Sequence, residues 1–379
     1  MTQPAYSLVQ LIIYFLKLGS WGFGGPVALV GYMHRDLVEK NKWITEDDYR
    51  EGLALAQLAP GPLAAQLSIY LGYVHYRIIG ATLAGIAFVL PSFLMVIGLG
   101  FIYIKSGGLP WMQAIFYGIG ASIIGIIAVS SYKLTKKTLE KDGLLWIFFL
   151  LLALTTFLFE KEILWLIIAA GILAWLYKTP PKFNKASIVF LPVILLQTTG
   201  NLWANSKLAQ IAWFFFKAGA FVFGSGLAIV PFLYGGVVKE YQWLNEQQFL
   251  DAVAVAMITP GPVVITVGFI GYLVAGFPGA CVAALATFLP CYLFTILPAP
   301  YFKKYGKHPA IKAFVDGVTA AAIGAIAGAV LVLGKRQLTD ITSWIIAIVT
   351  IVLLMRFKKI PEPLIIIAAA IAGLILKEL

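Results

Sequence analysis

The stretch ALAQLAPGPLAAQ, from Ala54 to Gln66, sets a proline–glycine–proline triplet in the middle of what should be a membrane helix. Its surroundings are apolar on both sides. The 379-residue chain is 61% hydrophobic and 12% charged, with a mean hydropathy of +0.91. A soluble domain carries about 25% charged residues. Runs such as IIGATLAGIAFVLPSFLMVIGLGFIYI (Ile78 to Ile104) recur from end to end. A bilayer span needs roughly 20 such residues. The alternating strands of a membrane barrel are absent from the pattern. The expected class is an all-α polytopic membrane protein.

The net charge of +11 does not point to nucleic acid, because the lysines and arginines cluster in short loops between apolar runs. Cys281 and Cys291 share one apolar run and read as buried free thiols, too few for a metal site or a disulfide framework. His34, His75 and His308 lie at segment ends and form no cluster. There is no nucleophile–base order, metal-ligand spacing or phosphate loop, so neither an enzyme nor a cofactor is expected. The N-terminus MTQPAYSLVQ lacks a basic n-region, and no removable signal peptide is expected.

The chain is a repeat. Shifted by 200 positions, FLKLGSWGFGGPVALVGY (Phe15 to Tyr32) meets FKAGAFVFGSGLAIVPF (Phe216 to Phe232). Lys17, Gly19, Phe23 and Gly24 fall on Lys217, Gly219, Phe223 and Gly224, and Pro60, Gly61 and Pro62 fall on Pro260, Gly261 and Pro262. After a one-residue slip, Gly72, Gly80, Pro91, Gly118 and Gly125 match Gly271, Gly279, Pro290, Gly317 and Gly324. Such self-similarity decides the architecture, and duplicated membrane halves are typical of secondary transporters. The expected division is a first repeat over 1–178, a linker over 179–206 with a short extra crossing, and a second repeat over 207–379.

Each half offers six apolar segments, about 8–33, 51–75, 78–104, 112–132, 143–159 and 162–177, then about 208–236, 249–274, 279–302, 312–333, 341–355 and 361–377. If all cross, the Lys/Arg bias flips between the halves, which predicts inverted topology. Inversion requires an odd number of earlier crossings, and SIVFLPVILLQTTGNLW (Ser187 to Trp203) supplies one. The total is about thirteen spans, with a cytoplasmic N-terminus. Re-entrant hairpins at the PGP segments would change that count.

Proline removes a backbone donor and glycine loosens the chain. Broken backbone survives in a membrane only against protein or a water-filled cavity. Each break also exposes the N–H groups of a new half-helix, which suit an anion. The glycine-rich stretches GSWGFGGP (Gly19 to Pro26) and GAFVFGSG (Gly219 to Gly226) repeat the theme. Four discontinuities are expected to meet near the midplane. The candidate binding residues are Lys17, Gly24, Gly25, Pro26, Pro60, Gly61, Pro62, Lys217, Gly224, Ser225, Pro260, Gly261 and Pro262. Lys17 and Lys217 sit within apolar runs, where a lysine costs roughly 2.5–3.5 kcal/mol and usually faces a pathway; the alternative is snorkelling to the interface. Glu51 and Asp251 match at the starts of the PGP segments, either as helix-start residues or as a proton-coupling pair.

These residues resemble the chromate ion transporter family over nearly the whole chain. The resemblance rests on FGGP (Phe23 to Pro26), KNKWITEDDYREGLALAQLAPGP (Lys40 to Pro62) and WLNEQQFLDAVAVAMITPGP (Trp243 to Pro262). It implies the long, two-domain form, with fused halves of opposite orientation. It implies export of chromate from the cytoplasm across the cell membrane, giving chromate resistance, with sulfate as a structural mimic. Ser225 and Gly226 stand where Gly25 and Pro26 stand in the first half, so the halves are expected to contribute unequally. A transporter for sulfate or another oxyanion, or a channel for the same anions, is the rival reading. The expected partners are the oxyanion and the lipid bilayer, with a homodimer left open.

Overall fold

The computed structural model describes residues 6–23, 25–106, 110–159, 164–180, 206–221, 223–224, 229–302, 308–357, 360 and 362–377. The first two segments of each half fold back on themselves. Helix α1 (Leu8–Trp21) starts at a Ser7–Gln10 capping box. Helix α2 (Gly25–Met33) and a π-helical turn, His34–Lys40, return alongside it. A continuous helix would separate Tyr6 from Trp43 by about 55 Å, yet their rings stack at 5.0 Å. The second half repeats this with α8 (Lys207–Ala220), α9 (Val230–Leu233) and a π-helical turn, Tyr234–Glu240. There, Lys207 Nζ lies 5.1 Å from the Trp243 ring centroid.

The PGP triplets turn a second hairpin in each half. The residue before a proline is pushed to extended backbone, and α3 (Glu46–Leu58) and α10 (Glu246–Ile258) end accordingly at Ala59 (ψ 145°) and Thr259 (ψ 141°). Gly61 and Gly261 then take φ of 143° and 95°, where a side chain is strained. The second proline leads into α4 (Leu63–Ser106) and, through a short 3-10 turn, α11 (Thr266–Ile296). In a continuous helix Gly52 and Tyr70 would stand about 27 Å apart; here a Cβ on Gly52 would strike the Tyr70 ring. The crossings expected at 8–33, 51–75, 208–236 and 249–274 are therefore hairpins. A break that caps one helix and starts the next reverses the chain instead of bending it.

Arg77 in α4 and Gly276 in α11 turn the chain again, at φ of 51° and 60°. The limbs on either side of each bend meet at glycines, Gly72 on Gly80 and Gly271 on Gly279. The long limbs are followed by α5 (Pro110–Leu139), α6 (Gly143–Phe159) and α7 (Leu164–Lys178), and by α12 (Pro309–Gln337), α13 (Ile341–Arg356) and α14 (Glu362–Lys377). These helices are exchanged between halves. Helices α6 and α7 pack on α12, while α13 and α14 pack on α5. The contacts run through small residues, as membrane interfaces favour: Gly317 on Ala170, Gly118 on Ala369 and Gly324 on Phe149.

Helix ends also meet across the halves. Tyr117 at the start of α5 donates to Asp340 before α13 at 2.5 Å. Tyr103 near the end of α4 donates to Asp251 near the start of α10 at 2.7 Å. Thr82 near the start of the long α4 limb bonds Tyr292 near the end of α11 at 2.7 Å. Among the described residues four helices are long and apolar enough to cross a membrane, Leu63–Lys105, Gln113–Lys136, Val263–Ile296 and Pro309–Lys335, and shorter apolar helices accompany them. This is an all-α, multi-pass membrane protein. The expected extra crossing at 187–203 lies outside the described residues.

Candidate functional site

The hairpin tips of one half meet those of the other. Gly61–Pro62 and Phe223–Gly224 pair as two short parallel strands, β1 and β2, with Gly61 opposite Phe223 and Pro62 opposite Gly224. At the matching place, the Gly261 N–H donates to the Gly22 carbonyl at 3.0 Å. Each PGP tip is thus tied by backbone to the glycine-rich tip of the opposite half. Gly61, Pro62, Pro260, Gly261 and Pro262 are buried and Pro60 is half-buried, so the broken backbone faces protein, as a membrane requires. Gly25 and the half-buried Pro26 open α2. Gly24 and Ser225 lie outside the described residues.

Two residues not expected at the site from sequence close the tips. A Cβ on Gly261 would overlap Ser92 Oγ, and one on Gly61 would come within 3.1 Å of Cys291 Sγ. Ser92 and Cys291 occupy matched positions, each just after a matched proline, Pro91 or Pro290. That repetition was the available signal. Beside Gly61, fully buried Gln66 donates from Nε2 to the Pro60 carbonyl at 2.8 Å. Its Oε1 has no partner among the described residues. The tip therefore holds one uncommitted polar acceptor. The Gly261 amide, expected to face an anion, is already committed to Gly22.

The lysines are placed unequally. Leu11, Phe15 and Leu18 form the buried face of α1. Lys17 is exposed, on a strip with Val9, Ile13 and Trp21. The expectation that it faces the bundle interior does not hold, because helical spacing turns it away from that buried face. Lys217 is half-buried, with Nζ 5.6 Å from the Trp213 ring centroid. The matched carboxylates also differ. Glu51 is partly exposed and bonds the Tyr70 hydroxyl of its own hairpin. Asp251 is 3% exposed and bonds across the halves to Tyr103. At the hairpin neck, the His34 ring hydrogen-bonds Glu46 at 2.8 Å and, with Arg50, holds its carboxyl below the usual range. In the second half Tyr234 and Lys239 bond Glu246 at the same place. Among the described residues no group of His, Cys, Asp and Glu side chains could hold a metal ion.

A family model described as chromate transporter matches residues 9–175 and again 209–374. The chain is 67% identical over 380 residues to a chromate transport protein of Cupriavidus metallidurans, covering 99% of this chain and 94% of that one. It is 63% identical to a probable chromate transport protein of Synechococcus elongatus, covering 98% and 96%. A chromate transport protein of Pseudomonas aeruginosa is 28% identical, covering 98% and 92%. No solved structure matches.

Proposed function

The chain belongs to the chromate transporter family, and we propose from that premise that it exports chromate from the cytoplasm by alternating access, giving chromate resistance. The observation that carries the mechanism is the tip-to-tip pairing of β1 with β2 and of Gly261 with Gly22. Four helix breaks converge where the two halves touch, and short backbone bridges join their tips. Rocking one half against the other would open the first bridge while the second holds. The anion would enter where the tips separate, among Gly25, Pro26, Gly61, Gly224 and Gly261, with Lys17 and Lys217 supplying positive potential.

We place the protein in the cell membrane with its N-terminus in the cytoplasm and its halves inverted. Hairpins return to the side they enter from. With two hairpins per half, every first-half Lys and Arg other than Lys17, Lys105 and Lys161 falls on one side, a stronger positive-inside bias than six crossings give. The contacts of Tyr103 with Asp251 and of Tyr117 with Asp340 support inversion, since each joins helix ends that parallel halves would hold on opposite faces. Removing two crossings per half leaves parity unchanged, so the segment 187–203 is still needed as a crossing.

The test is chromate flux in proteoliposomes, with sulfate and molybdate as competitors. Trans-chromate should accelerate uptake of labelled chromate, as a carrier requires. Flux that ignores trans-substrate would indicate a channel, and no chromate flux would reject the reading. In the same assay Lys217→Ala should weaken apparent affinity by about ten-fold, the worth of one charge-assisted contact. Lys17→Ala should cost less, because Lys17 points away from the buried face of α1. Arginine at 217 should rescue only in part, since its planar fork differs from a compact ammonium. Equal effects at the two sites would refute this ranking.

A further inference from the structure

The two matched carboxylates are not equivalent. Asp251 Oδ2 accepts from the Tyr103 hydroxyl at 2.7 Å, and Oδ1 accepts from Gln247 Nε2 at 2.8 Å. Gln247 lies one turn away on α10, whereas Tyr103 comes from the opposite half, its ring packed edge-on against Phe116 and Phe269. Several charged and titratable groups stand on the elements around α10. They are Tyr234, Lys239 and Glu240 of the π-helical turn, Lys105 of α4, Tyr117 and Lys133 of α5, Tyr272 of α11 and Glu362 of α14. Among the described residues none of them forms an ion pair with Asp251. Lys239 bonds Glu246, Lys105 stands over the Phe101 ring, and Glu362 is opposed by Lys133. A carboxylate this buried, with neutral partners only, is costly in its charged form and marks an ion or proton pathway in membrane proteins.

We propose that Asp251 is the proton-binding group that couples oxyanion movement to a proton gradient. The proposal rests on the transporter reading above and decides between the two carboxylates. A metal cation is disfavoured, because both carboxylate oxygens already face N–H or O–H donors. A proton suits the geometry. When the carboxylate binds one proton from water on Oδ2, that oxygen becomes a donor. The Tyr103 hydroxyl can then accept in place of donating, since a hydroxyl does both. Gln247 stays as it was. Release of the same proton to the other side restores the first arrangement. The carboxyl keeps its hydrogen bond to Tyr103 in both charge states, and the bond that reverses is the one joining the halves. Glu51 lacks this, being partly exposed and bonded within its own hairpin.

The experiment uses the full chain in proteoliposomes with labelled chromate. Two quantities are read: chromate-for-chromate exchange at equal pH, and accumulation driven by an imposed pH gradient. Asp251→Asn should keep exchange and lose pH-driven accumulation, while Glu51→Gln keeps both. Tyr103→Phe removes one donor from the charged carboxylate. Its pH midpoint for accumulation should rise by about one unit relative to wild type, a difference that cancels the titration of chromate itself. Wild-type exchange without any pH-driven accumulation overturns the proposal and spares the transporter reading. So does Asp251→Asn accumulating as wild type does, or losing exchange together with accumulation while Tyr103→Phe leaves the profile unmoved. Absence of wild-type exchange overturns both.

Discussion

Gly261→Ala should nearly abolish chromate flux while the protein still inserts, and adding Ser92→Ala should restore some of it. At φ 95° an alanine is strained by roughly 1–2 kcal/mol. Its methyl would overlap Ser92 Oγ and lie 3.4 Å from the Gly19 carbonyl. Overpacking of this kind costs about 1–3 kcal/mol. The bridge it burdens is one Gly261–Gly22 hydrogen bond, worth about 0.5–1.5 kcal/mol net. The bridge should therefore yield before the helices do. Ser92→Ala removes the overlapping oxygen and leaves the backbone strain, so rescue should be partial, and the double-mutant cycle should show coupling. Gly61→Ala should be milder, because it meets the Gln66 side chain and Cys291 Sγ, which can shift. The measurement is chromate flux per inserted molecule, with a thermal melt beside it. Wild-type flux and melting for Gly261→Ala would mean that the tip is not packed against Ser92.

Gly219→Ala should give the largest loss of thermal stability, with Gly19→Ala close behind. A methyl at Gly219 would overlap the Thr287 carbonyl, and one at Gly19 the Phe88 carbonyl. Backbone cannot rotate away as a side chain can, so α8 must lift off α11, and α1 off α4. Both pairs are extensive contacts of the hairpins with the long limbs. Gly98→Ala is the control. Nothing lies within 4 Å of its added methyl, and alanine in a helix interior gains about 0.8–1.0 kcal/mol over glycine. Melting in detergent should rank Gly98→Ala at or above wild type and Gly219→Ala well below. Equal melting of all three would contradict the close packing of hairpin on limb.

The repeat, the breaks and their meeting were legible in sequence, because identical spacing in two halves survives any folding. The direction of the chain after each break was not. A kink and a reversal are written with the same residues, and what separates them is contact between distant positions, such as Tyr6 with Trp43. The exposure of Lys17 was readable in principle, since Leu11, Phe15 and Leu18 define the opposite face. The unequal fates of Glu51 and Asp251 were not, because they depend on Tyr103, whose matched position holds Phe302. Cys291 read as an ordinary buried thiol until its neighbour proved to be Gly61.

The exchange of outer helices between halves has a consequence for biogenesis. Gly118 of α5 meets Ala369 and Gly373 of α14, roughly 250 residues later in the chain. At about 5–20 residues per second, the ribosome takes ~10–50 s to deliver that partner. During this interval α5 must wait in the bilayer with its glycine-lined groove covered only by lipid. Stalling or truncation in the last hundred residues would leave the first half inserted but unclosed, a natural substrate for membrane quality control.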